Sequence, residues 1–264
     1  MTAVQPSSLR HNAAASVAFT SRALTRMMRL PTIIAPMVIM PVFFVVAFSG
    51  SFAAVVQIDG YGTDEAVNWM AAWALLQGSA FSGMGAAGAA ATDLENGFFD
   101  RIRLAPVATS TVIAGLLGYA VVRSIIPVTA VLIVAFVFLG ADMPGGVAGI
   151  AMTYVGGAGL AIVMSLLALA VAFTLKNLRS LGVAQIGIFS LMFLSVGQAP
   201  LVAIEGWLHE VAAVNPVTRV IRMTRQGFLG DVTWGTTYPG LLGLAAMIAF
   251  FGAVAVWRYR RITD

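Results

Sequence analysis

Residues 92–106 read TDLENGFFDRIRLAP, and this short charged stretch decides how the rest of the chain is read. Just upstream, residues 78–90 carry no charge, and downstream residues 107–140 carry only Arg123. Asp93, Glu95, Asp100, Arg101 and Arg103 crowd around two adjacent phenylalanines, Phe98 and Phe99. An amphipathic insert of this kind between two long apolar runs is a loop joining two membrane spans. It is placed where a soluble partner in the cytoplasm can touch it.

The composition agrees. Of 264 residues, 59% are hydrophobic and only 10% charged, with a mean hydropathy of +0.92. Soluble domains carry roughly 25% charged residues, so most of this chain cannot face water. Apolar runs of about 20 residues recur, each long enough to cross a hydrocarbon core of roughly 30 Å. The chain reads as an all-α integral membrane protein with no room for a soluble domain. A pI near 10 does not indicate nucleic acid, because the basic residues sit mostly at the ends of apolar runs, where they set orientation. Cysteine is absent, which excludes disulfides, thiolate metal sites and cysteine nucleophiles.

Working outward, residues 1–16 read as a small, polar, disordered tail. Residues 17–30 place Arg22, Arg26 and Arg29 on one helical face and apolar side chains on the other, with only Thr20 out of place. Such a helix lies in the membrane interface. A secretory signal peptide is disfavoured, because arginines interrupt the stretch and no small-residue cleavage site follows. Spans are expected over 32–56, 67–91, 112–139, 147–175, 181–196 and 238–257, with kinks at Pro36 and Pro41. The second is rich in glycine and serine, which suits close helix packing inside the bundle. Residues 197–235 are too broken by Pro200, Gly206 and Pro216 to span, yet too apolar for a solvated loop. Two short helices dipping into the membrane from outside, near 201–213 and 217–229, form a re-entrant hairpin.

Six spans put both termini on one side. With the N-terminus in the cytoplasm, Arg10, Arg22, Arg26, Arg29, Arg101, Arg103, Lys176, Arg179, Arg258, Arg260 and Arg261 lie inside. Outside lie only Arg219, Arg222 and Arg225, together with most of the acids. This bias favours cytoplasmic termini.

Enzyme chemistry finds little support. A phosphate-binding loop needs G-x-x-x-x-G-K-[ST], and the single lysine, Lys176, lies between Leu175 and Asn177. His209-Glu210 begins a zinc-protease pattern, but Ala213 stands where its second histidine belongs. Arg123 is the one charge deep in a span, at an insertion cost of about 2.5–3.5 kcal/mol. It is either a substrate or gating contact, or a buried arginine bonded to carbonyls or to an acid. Arg219, Arg222 and Arg225 recur every third residue. They either guide an anionic or amphiphilic substrate outward and touch headgroups, or are solvated and paired with Glu205 or Glu210.

Two motifs on this layout resemble the permease subunits of type-2 ABC exporters, especially the daunorubicin-type drug-resistance branch. ENGFFDRIRLAPV, 95–107, is similar to that family's E-x-G-x-x-(D/E)-R-hydrophobic-R-x-x-P segment. NPVTRVIRMTRQGFLG, 215–230, is similar to its N-P-x-T…R…G segment, with Asn215, Pro216, Thr218, Arg225 and Gly230 on the family's positions. Arg219 and Arg222 are not typical of it. Arg123 resembles an arginine seen soon after the coupling segment.

The resemblance implies a bacterial plasma-membrane transport subunit that is no enzyme itself and exports an amphiphilic drug or lipid-like substrate. It implies a dimer with a second copy or a paralogue, and two ATPase subunits that bind ATP and Mg. Residues 92–106 would be the coupling segment, with Phe98, Phe99 and Ile102 as an apolar wedge. Glu95, Gly97, Asp100, Arg101, Arg103 and Pro106 would complete it. Arg123, Asn215, Pro216, Arg219, Arg222 and Arg225 would belong to the path or its gate. Polysaccharide export, also performed in this family, is the rival within transport, and an intramembrane enzyme is the rival outside it. No cofactor is expected in this chain, and no nucleic-acid partner.

Overall fold

The computed structural model describes residues 9–29, 31–98, 109–230 and 232–263. Phe99, Asp100, Arg101, Ile102, Arg103 and Pro106 lie outside the described residues. Among those described there are helices and short 3-10 turns but no strand. The helices are α1 (Leu9–Met28), α2 (Pro31–Ser51), α3 (Ala66–Glu95), α4 (Thr109–Phe138), α5 (Gly146–Leu175), α6 (Ser180–Phe193), α7 (Gly206–Val214), α8 (Pro216–Leu229) and α9 (Trp234–Thr263).

Four of these helices are long and apolar enough to cross a membrane: α2, α4, α5 and α9. They expose large apolar side chains such as Phe43, Val137, Val147 and Phe250, as a lipid-facing surface requires. α6 is apolar but has 14 residues, about 21 Å of helix. α3 has the length, but glycine, serine, Asn68 and Gln77 dilute its apolar character.

That dilution has a structural reason, because α3 is the axis of the bundle. Residues 66–80 are buried without a break, and α2, α4, α5, α6 and α8 all pack on this helix. Small residues let the neighbours come close. At Gly78 the rings of Pro41 from α2 and Pro127 from α4 converge on one spot, leaving no room for a Cβ. Helix α2 runs on through both Pro36 and Pro41. A second close approach lies between α5 and α8, where a Cβ on Gly227 would fall 2.6 Å from the Gly149 Cα.

The N-terminal helix starts at Leu9, inside the stretch read from sequence as a disordered tail, and packs along α4. Two hydroxyls fasten it: Ser16 donates to the Thr111 carbonyl at 3.0 Å and Thr20 to that of Gly115 at 2.8 Å. Thr20 is the residue that spoiled the apolar face on the wheel, and this bond is its use. The α3 helix continues to Glu95, beyond the expected span end at 91, and stops where Gly97 takes a φ of 64°. A residue without a Cβ enters that left-handed conformation without strain.

Candidate functional site

Three places gather the residues singled out by sequence: the junction of α1 with the end of α3, a cleft beside it, and the α7–α8 hairpin at the far end of the bundle.

At the junction, Arg22 on α1 pairs with Asp93, and its guanidinium carbon lies 3.9 Å over the Phe98 ring. Phe19 meets the same ring edge-on at 6.4 Å. Phe98, expected in a wedge facing a partner, therefore has its ring against α1. Glu95 accepts from the Leu178 N–H at 2.9 Å, tying the end of α3 to the loop between α5 and α6. Burial pushes the Asp93 carboxyl above the usual carboxylate range, against the pull of Arg22 and, more weakly, Arg26.

The cleft, about 480 Å³, is walled by α1, α2, α3, α4 and α6. It runs along α3 from Thr92 to Phe81, eleven residues or about 16 Å. Its walls are apolar and rich in methionine: Met27, Met37, Met40 and Met84. Arg123 reaches into it from α4 and is 6% exposed. Its Nε lies 3.0 Å from the Met37 sulfur and its Nη1 donates to the Tyr119 hydroxyl at 3.3 Å. The absence of a side chain at Gly85 makes room for the guanidinium, since a Cβ there would collide with it. Arg26 and Gln185 also line the cleft.

An aromatic column continues from the deep end of this cleft. Phe81 meets Phe189 at 5.4 Å, Phe189 meets Phe193 at 5.5 Å, and Phe193 stands edge-on to Trp73 at 5.1 Å. Phe44 and Phe48 from α2 close on Trp73 at 5.4 and 5.6 Å. The rings lie beyond Phe81, away from the α3 terminus, while Pro36, Met40 and Gln185 along the flank of the cleft are exposed. Trp73, wholly buried and donating to the Met192 carbonyl at 3.3 Å, escaped sequence reasoning. Only its place on the all-buried face of α3 could have flagged it.

In the hairpin, Asn215 caps α8: its side-chain oxygen accepts from the Val217 N–H at 2.9 Å. Its amide donates to the carbonyls of Leu191 and Leu194 at 2.8 and 2.7 Å, joining the hairpin to the end of α6. Pro216 occupies the first helical turn, where its missing N–H leaves no bond unmade. Thr218 donates to the Ala212 carbonyl at 2.7 Å.

The three arginines of α8 sit at three depths. Arg219 is exposed, Arg222 is half-buried, and Arg225 is 2% exposed. Arg225 donates to the carbonyls of Trp69, Val196 and Gly197 at 3.1, 2.9 and 2.7 Å and lies over the Trp69 ring. Its partners are backbone carbonyls, where sequence reasoning had offered Glu205 or Glu210. Arg222 faces a second cavity, about 380 Å³, with Gln226, Pro200 and Thr236. His209 donates from Nδ1 toward the carbonyls of Leu201 and Ile204, both at 3.0 Å, which holds the preceding 3-10 turn on α7.

A family model for ABC-2 type transporters matches residues 15–229, from the middle of α1 to the end of α8. No curated protein matches the chain.

Proposed function

The chain belongs to the ABC-2 type transporter family, and from that premise we propose that it is the permease subunit of an exporter driven by separate ATPase subunits. Its substrate is an amphiphilic drug or a lipid-like molecule. The observation that carries this reading is the cleft: apolar, methionine-rich walls, a buried arginine and an aromatic column beyond Phe81.

In this reading α2, α3, α4, α5, α6 and α9 cross a bacterial plasma membrane, both termini are cytoplasmic, and residues 197–235 form an external re-entrant hairpin. Two such chains, identical or paralogous, meet to complete the path. Two ATPase subunits dock at residues 92–106 and hold the ATP and Mg. The wedge toward them is Phe99 and Ile102, flanked by Asp100, Arg101 and Arg103, while Phe98 joins the segment to α1. Nucleotide-driven closure of the ATPases pushes this segment. Through Phe98 on α1 and Glu95 on the α5–α6 loop, the push reaches both sides of the cleft and parts the aromatic column. Arg123 stands in the path and Arg222 near its outer mouth. The daunorubicin-type motifs at 95–107 and 215–230 support the drug or lipid branch over polysaccharide export.

Co-expression with a candidate ABC ATPase tests the proposal. Phe99→Ala combined with Ile102→Ala should abolish co-purification of the ATPase while the permease still inserts into membranes. Intact complexes with stimulated ATP hydrolysis in the double variant would sink the docking assignment.

A further inference from the structure

The charge lining the cleft narrows the substrate class. We infer that it takes an anionic amphiphile, a hydrocarbon body ending in a phosphate or carboxylate, and this inference rests on reading the chain as a permease. The charged side chains among the described lining residues are Arg26 and Arg123, both cationic, and no carboxylate stands with them. Of the described acids at the end of α3, Asp93 pairs with Arg22 and Glu95 accepts from Leu178.

The two arginines stand at different depths. Arg26 is exposed near Asp93, beside the end of α3. Arg123 is buried against Gly85, seven residues or about 10 Å deeper along α3 from Thr92. An anionic head would meet the first on entry and the second inside, where low dielectric strengthens attraction. A guanidinium grips phosphate or carboxylate with parallel N–H bonds. A cationic head would face like charge at both depths.

The body of the ligand is specified less sharply. Met37, Met40 and Met84 are unbranched and adaptable, so the wall accepts hydrocarbon of varied shape. The cleft therefore selects by head charge and tolerates variation in the tail.

The test titrates the full-length permease in phosphatidylcholine nanodiscs with radiolabelled dodecyl phosphate or dodecyltrimethylammonium. A parallel arm supplies phosphatidic acid in the nanodisc and reads retained lipid by native mass spectrometry, separating a bilayer source from a soluble one. Dodecyl phosphate or phosphatidic acid should bind and dodecyltrimethylammonium should not. Arg123→Gln should weaken binding about tenfold to a hundredfold, and Arg123→Lys should retain part of it. Should Arg123→Gln fail to fold, Arg26→Gln and Met40→Glu alter exposed positions and should each weaken the anion. Preference for the cation, or anion binding untouched in all folded variants, overturns the inference. Co-purification with the ATPase is scored separately: a complex that forms but prefers the cation refutes the substrate class alone, and a permease that binds the anion yet co-purifies with no candidate ATPase refutes the transport reading alone.

Discussion

The guanidinium of Arg225 lies 3.6 Å above the indole ring of Trp69 and donates to the carbonyl of the same residue. With Val196 and Gly197 as further acceptors, one side chain of α8 joins the central helix to the bend after α6. The charge is kept in the interior by aligned carbonyl dipoles and an aromatic face, which suits a planar guanidinium and not an ammonium. Arg225→Gln and Arg225→Lys should each destabilise the permease by about 3 kcal/mol or more, since buried acceptors lose their donors. Thermal unfolding in detergent reads this directly. Normal stability with lost transport would move Arg225 from the frame to the path.

Asn215 predicts a graded series. Asn215→Ser keeps a side-chain cap for α8 but loses the amide donor to Leu191 and Leu194, while Asn215→Ala loses all three bonds. Loss of a cap costs about 1 kcal/mol, and the two orphaned carbonyls add to it. The alanine variant should therefore unfold at a lower temperature than the serine variant, and both below wild type. Limited proteolysis within 197–235 should rise in the same order.

These two residues show what was legible in the sequence. Asparagine followed by proline announces a helix start, and Asn215 and Pro216 make one. Glycine and serine along 78–88 announce a crowded helix, and α3 is the buried axis. A period of three in Arg219, Arg222 and Arg225 does not say which arginine faces inward, because each step turns the helix by about 300°. Only the packing of α8 on α3, α5 and α9 selects Arg225 for burial. Phe98 is illegible for the same reason: its apolar ring fits a partner groove or a neighbouring helix equally well, and its contacts with Phe19 and Arg22, some 75 residues away, lie beyond local pattern.

The crossing of α5 and α8 gives a steric prediction. Gly149 and Gly227 touch backbone to backbone, and the Gly145 N–H donates to the Gly227 carbonyl at 3.0 Å beside them. Gly227→Ala puts a methyl group 2.6 Å from the Gly149 Cα, where neither helix has a flexible side chain to yield. Forced separation of the helices should cost about 1–3 kcal/mol. Gly182→Ala, with open space around its Cα, is the control and should be neutral. Equal melting temperatures for the two variants would refute this crossing.

The ion pair of Arg22 and Asp93 supplies a pH dependence whose sign runs against the usual salt bridge. Burial raises the Asp93 carboxyl more than Arg22 lowers it. The folded protein therefore holds this proton more tightly than the unfolded chain does. Its contribution to stability is complete below the unfolded carboxylate value and declines as pH rises through the higher folded one. Asp93→Asn removes the titration. The melting temperature of wild type should fall relative to Asp93→Asn as pH climbs from the acid range toward neutrality. A pair that stabilised the fold on balance would give the opposite trend, with wild type gaining on the variant as the carboxylate ionises. Because Arg22 covers Phe98 and also holds the Asp93 carboxyl down, Arg22→Ala should loosen the α1 contact and steepen the decline with pH, whereas Asp93→Asn should remove the decline and leave the ring contact in place.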